Sequence, residues 1–218
     1  MADKRDIVVI GLGTFGAEVA REMTRMGDRV TGIDRDAACV AALEGEIDAV
    51  MQADATDLKV LHHAGIANFD NVIIAIGDDM QASLLTTLGV NQAGCKDVYV
   101  KAQSPEHARI LKAIGVRNLL EPEQSFALHL AQLMHNPHLD DFLNLGDGHY
   151  IATINAPALS SCHHIGDLPL EKYKLVCVGI YTGERIWTSD LVAHELAITD
   201  KLILAGSRAN IRRFSLRG

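Results

Sequence analysis

Residues 8–16 read VVIGLGTFG, so glycines stand at 11, 13 and 16 behind a short apolar run. The spacing G-x-G-x-x-G has a physical use. Gly11 permits the tight turn out of a strand, Gly13 lets backbone approach a pyrophosphate with no Cβ in the way, and Gly16 lets the next helix pack closely on the strand. The N-terminus of that helix offers unpaired N–H groups and a partial positive charge to phosphates. Asp34 closes the next apolar stretch, RVTGID, where a carboxylate accepts hydrogen bonds from both hydroxyls of a ribose. A 2′-phosphate would meet that charge, which disfavours NADP. The adjacent Arg35 works the other way if it neutralises such a phosphate, and it can instead stack on adenine.

These residues need a scaffold, and the patterning supplies one. IVVI (7–10) is a continuous apolar run bounded by charge and glycine, the pattern of a strand buried on both faces. FGAEVAREMTRM (15–26) carries Phe15, Val19, Met23 and Met26 at helical spacing, and Gly27 ends it. The alternation continues with a helix over 36–44, a short strand at 48–52 and a helix in TDLKVLHHAGI. The strand VIIAIG (72–77), the helix MQASLLTTLGVNQAG, the strand DVYVKA, the helix PEHARILKAIG and the short strand NLLE follow. Strands interleaved with helices predict a Rossmann-like, doubly wound parallel sheet over residues 1–122. Residues 123–135 read as one amphipathic helix with Phe126, Leu130, Leu133 and Met134 clustered on a face. NPHLDDFLNLGDGH reads as a connector, giving a crossover segment over 123–148. Residues 149–218 predict a small C-terminal α+β domain, with YIATINA, KLVCVGIYTG and DKLILAGS as strands, ERIWT as a hairpin partner and ANIRRFSLRG as a terminal helix or tail.

Composition narrows the functional classes. The chain has 218 residues, 48% of them apolar, and 20 basic against 28 acidic residues give a formal charge of −8. A net negative surface gives no electrostatic help to nucleic acid or anionic lipid, so no nucleic-acid partner is expected. Cys39, Cys95, Cys162 and Cys177 form no C-x-x-C pair and read as inert thiols of a reducing cytosol. No apolar run approaches the about 20 residues of a membrane helix. His129, His135 and His138 are spaced six and then three apart, which is wrong for two ligands on one helical turn.

ADATD (53–57), AIGDDMQAS (75–83), VKAQ (100–103) and GVRNLLEPE (115–123) follow successive strands. With GLGTFG and the trailing small domain, they resemble the cytosolic RCK (or KTN) regulatory subunits of the Ktr and Trk potassium-uptake systems. The resemblance spans nearly the whole chain, closely to about residue 125 and more loosely after 150. It implies a subunit that performs no net chemistry and forms a homodimer, then a ring, typically an octamer. That ring would lie in the cytoplasm, peripheral to the inner face of the cell membrane, beneath a potassium-translocating membrane subunit. The implied ligand is ATP, ADP or NAD(H), whose binding changes the ring's shape and gates potassium flow. On the resemblance, Asp34, Arg35, Asp54 and Ala55 attend base and ribose, while Gly13, Thr14, Phe15 and Gly16 attend the phosphates. Ile76, Gly77 and Asp78 would line the cleft, and Lys101, Gln103 and His107 would reach toward the phosphates or a second nucleoside. Glu123 matches an acid at the dimer interface that holds a divalent cation (Mg or Ca) in some Ktr-type subunits.

Two departures bear on the ligand. Ktr-type members usually read G-x-G-R-F-G, with the arginine on the outer phosphates, whereas Thr14 brings no charge. Asp78 and Asp79 put two carboxylates beside the phosphate path, closer to the Trk type. Losing a cation and gaining acids weakens selection for a γ-phosphate unless a metal ion intervenes. A small NAD-dependent oxidoreductase is the competing expectation. It needs an acid/base group and a substrate-orienting residue across the nicotinamide, and residues 150–218 show no recognisable set of that kind.

Overall fold

A computed structural model of the protein describes residues 4–95, 97–155, 164–197 and 199–215. The contacts divide the chain into two compact units, residues 1–123 and 124–218.

The first unit alternates strand and helix. β1 (Asp6–Ile10), β2 (Arg29–Asp34), β3 (Ala49–Gln52), β4 (Asn71–Ile74), β5 (Val98–Lys101) and β6 (Asn118–Leu120) form one sheet in the order β3-β2-β1-β4-β5-β6. Every pairing is parallel. The helices α1 (Thr14–Arg25), α2 (Ala37–Ala41), α3 (Leu58–His63), α4 (Met80–Gln92) and α5 (Pro105–Ala113) lie between the strands. β1 explains why its sequence shows no polar alternation. Val8 and Ile10 enter one apolar cluster with Ile33, Ile74 and Val100, while Ile7 and Val9 enter another with Val30, Leu43 and Ala20. Both faces are covered, and each fully buried aliphatic side chain contributes about 1.5–3 kcal/mol.

Short polar residues start the helices. Asp36, Asp57, Asp79 and Ser104 each accept a backbone N–H of the first turn of α2, α3, α4 and α5, a cap typically worth about 1 kcal/mol. α1 differs. Its N-cap is Gly13, and no side chain caps it.

The helix α6 (Pro122–His135) begins at the end of the first unit and has no buried residue. In the second unit, β7 (Leu139–Gly146), β8 (His149–Asn155), β9 (Val176–Tyr181), β10 (Ile186–Trp187) and β11 (Lys201–Ser207) form an antiparallel sheet in the order β10-β9-β11-β8-β7. α7 (Arg208–Ser215) packs Ile211 and Phe214 on its apolar face with Ile154, Leu202 and Leu204. The stretch read from sequence as a connector thus contains a strand. β7 pairs with β8 through register shifts at 139/141 and 144/146 that broke its alternation. The two-residue turn Asp147-Gly148, with φ of 48° and 75°, joins them. Positive φ at both positions is what a tight hairpin of this hand requires.

Cys39, Cys95 and Cys177 are free thiols. Cys162 and His163 lie outside the described residues. Among the described residues, no helix is long and apolar enough to cross a membrane.

Candidate nucleotide-binding site

The strand order reverses between β1 and β4, and a cleft opens at the carboxyl ends of the strands there, where open parallel sheets bind ligands. Its volume is about 530 Å³, within the range of small-molecule and cofactor sites. Of the residues singled out from sequence, Gly11, Gly13, Thr14, Phe15, Asp34, Arg35, Asp54, Ala55, Ile76, Gly77, Asp78, Lys101 and Glu123 line it.

The glycine turn is built for close approach. Gly11 has φ of +93°, and a Cβ there would lie 2.8 Å from the Ile76 nitrogen. A Cβ on Gly16 would fall 1.9 Å from the Gly11 carbonyl oxygen and 3.1 Å from the Ala75 Cβ, so α1 sits against the turn only because residue 16 has no side chain. Among the described residues, nothing lies within 4 Å of a Cβ on Gly13. With no side-chain cap, the first N–H groups of α1 remain available to an anion.

Asp34 is fixed by backbone. The Leu12 N–H donates to its Oδ2 at 2.6 Å and the Asp36 N–H to its Oδ1 at 2.8 Å. Each carboxylate oxygen retains a further acceptor site, enough for a ribose diol. Asp54 accepts from the Thr56 N–H at 2.9 Å and from the Thr56 hydroxyl at 2.8 Å. These bonds hold its carboxyl below the usual range. Arg35 reaches Asp79, with Nη1 3.3 Å from Oδ2. Cys39, which sequence reasoning did not select, also lines the cleft. Burial, then the charges of Asp34, Asp36 and Asp78, push its thiol up, leaving it protonated and a poor nucleophile.

At the other end, the Lys101 Nζ lies 5.4 Å from the centre of the Phe15 ring and 2.6 Å from Glu123 Oε1. That ammonium holds the Glu123 carboxyl below its ordinary value.

Gly16, Gln103 and His107 are not among the lining residues. Gln103 donates through Nε2 to the Ile76 carbonyl at 3.2 Å, and its own N–H donates to His107 Nδ1 at 3.2 Å. His107 is fully buried, its Nε2 has no hydrogen-bond partner among the described residues, and burial lowers its pKa. Together the two residues brace the segment that follows β4 at Ile76. Asp36, Thr56, Ala82 and Thr86 also line the cleft and were missed. Thr56 was legible in principle, because ADATD is an aspartate followed two residues on by a hydroxyl, the pattern of an Asx turn. Among the described residues, no histidine, serine or tyrosine lines the cleft and no group of three or more His, Cys, Asp or Glu able to hold a metal occurs.

A TrkA-N domain model matches residues 7–122. The chain belongs to the TrkA-N family. Its likeness to the Ktr system potassium uptake protein C of Bacillus subtilis (strain 168) runs through both units, at 33% identity over 98% of this chain and 97% of that protein. Among solved structures, the GsuK channel matches with a TM-score of 0.67 and 15% identity, over 96% of this chain. The GsuK channel bound to NAD matches with a TM-score of 0.65 and 16% identity, over 96% of this chain. This chain spans 38% of each GsuK chain. Those likenesses establish the fold of the TrkA-N protein, Rossmann-like sheet and small antiparallel sheet together.

Proposed function

We propose that this TrkA-N protein is the nucleotide-binding regulatory subunit of a potassium-uptake system, gating a potassium-translocating membrane protein from the cytoplasmic face. The observation that carries the reading is the extent of the likeness to the Bacillus subtilis Ktr protein. It covers 97% of that protein, so the Rossmann unit and the small sheet unit occur together in both. An oxidoreductase would need an acid/base group across from a nicotinamide; among the described residues, the charged groups lining the cleft are carboxylates, Lys101 and Arg35.

The ligand is ADP or NAD(H) in preference to metal-free ATP. The lining carboxylates Asp34, Asp36, Asp54, Asp78 and Glu123 outnumber the cations Arg35 and Lys101, and Thr14 contributes no charge. A GsuK channel bound to NAD shares the fold, which is in keeping with that choice. Asp34 and Asp54 take the ribose and base, the N-terminus of α1 with Gly13 takes the phosphates, and Lys101 neutralises them. Gln103 and His107 set the position of Ile76 rather than touching the ligand. Glu123 alone is too sparse for Mg or Ca, which want several oxygens, so a cation there draws on ligand phosphates or a second copy.

That second copy docks on α6. Phe126 is 66% and Met134 76% exposed, with Leu128 and Leu130 also uncovered. An apolar helix with nothing buried wants a partner, and a homodimer assembling into a ring supplies it. Ligand binding then biases the ring toward whichever shape binds it better.

Calorimetric titration with ADP, ATP and NADH, together with the solution mass, tests the reading. Adenine-nucleotide binding by an oligomer, with NADH left chemically unchanged over a broad substrate panel, is expected. A monomer without affinity for any adenine nucleotide, or robust hydride transfer, overturns it.

A further inference from the structure

Each cation lining the cleft already has a carboxylate partner. Arg35 is loosely held by Asp79 at 3.3 Å and is largely exposed. Lys101 is different. Its side chain is only 13% exposed, and its ammonium sits 2.6 Å from a carboxylate that is itself 70% exposed. The same ammonium lies 5.4 Å from the ring of Phe15, in the first turn of the uncapped helix α1, and 3.7 Å from where a Cβ on Gly77 would stand. It therefore stands beside the Phe15 side chain of the first turn of α1 and close to Gly77.

We infer that Glu123 is a specificity-determining residue that competes with ligand phosphates for Lys101. The inference rests on the nucleotide-binding reading above. A ligand without phosphates leaves the Lys101–Glu123 pair intact and gains nothing from Lys101. A ligand with two phosphates takes the ammonium, and Glu123 swings into the solvent it already largely faces. The pair thus sets a charge threshold, and the phosphate contact contributes affinity only beyond what the pair is worth. Glu123 lies in the first turn of α6, the helix through which the chain leaves the Rossmann unit, so partner exchange at Lys101 changes a contact at the start of that helix.

The test compares adenosine with ADP in the full chain, with a chelator present so that no cation acts at Glu123. Glu123→Gln removes the competing charge at an exposed position and is expected to bind ADP about fivefold more tightly, the scale of a favourable ion pair, with adenosine unchanged. In a Lys101→Met background the same substitution is expected to leave ADP affinity unaltered. Equal shifts for adenosine and ADP, or an unchanged or weakened ADP affinity in Glu123→Gln, overturn the inference while leaving the nucleotide reading in place. Failure of the unaltered protein to bind either ligand overturns both.

Discussion

Gly13 and Gly16 look equivalent in the motif, yet the structure assigns them opposite consequences. Gly13 has φ of −63° and ψ of −174°, which alanine adopts without strain, and among the described residues nothing stands within 4 Å of an added Cβ. Replacing glycine by alanine at such a site stabilises a protein by about 0.4–1 kcal/mol, because the unfolded chain loses freedom. For a protein of this size that is a rise of about 2 °C in melting temperature. On the proposed nucleotide reading, the Cβ would nevertheless stand where a pyrophosphate approaches backbone. Losing charge-assisted hydrogen bonds to that backbone costs about 1.5–3 kcal/mol, or roughly 10- to 100-fold in affinity. At Gly16 the Cβ meets the Gly11 carbonyl oxygen at 1.9 Å. Alanine's helical advantage of about 1 kcal/mol is overtaken by displacement of α1, since overpacking costs about 1–3 kcal/mol or more. Thermal unfolding without nucleotide, followed by calorimetric titration with ADP, separates the two. Gly13→Ala melts slightly higher and binds poorly, while Gly16→Ala melts lower. Wild-type ADP affinity in Gly13→Ala would refute the placement of the phosphates over that residue.

In chelator, calorimetry should rank ADP and NADH above ATP, with Mg narrowing the gap. A strong metal-free preference for ATP would contradict the charge argument. Burial lowers the pKa of His107, so the unfolded chain takes up its proton first. Its contribution to stability is complete above the unfolded value of about 6.5 and is lost as the pH falls through the lower folded value. The melting temperature of wild type minus that of His107→Gln should therefore decline below about pH 6.5. A pH-independent difference would show that His107 is not held neutral. Phe126→Gln with Met134→Gln, both exposed in the single chain, should lower the solution mass seen in sedimentation without lowering ADP affinity. An unchanged mass would remove α6 from the interface.

The fold was legible where one physical rule governed the sequence. β1, buried on both faces, could only be a continuous apolar run, and Gly11 with φ of +93° marks a turn that few other residues make. The second unit was harder because its signals conflict. Asp140 and Asp141 interrupt the alternation of β7, its register shifts twice against β8, and proline and glycine at its ends resemble loop. The Asp147-Gly148 hairpin signal was present all the same. At the site, sequence placed the residues at strand ends, because the topology brings those together. It could not show what the side chains do there. That Gln103 turns to the Ile76 carbonyl, that Asp79 holds Arg35, and that Lys101 is taken by Glu123 are all contacts between residues distant in sequence.

These contacts also constrain how a signal can leave the cleft. A ligand shifts an equilibrium only by the difference between its affinities for the two states. The base and ribose contacts proposed for Asp34 and Asp54 would not supply that difference by themselves, because those carboxylates are pinned by Leu12, Asp36 and Thr56. Lys101 is the lining residue whose present partner belongs to the helix leading out of the unit. Coupling is reciprocal. Any assembly that gives Glu123 a better partner than Lys101 raises the affinity for phosphates, and phosphates that claim Lys101 favour that assembly to the same degree.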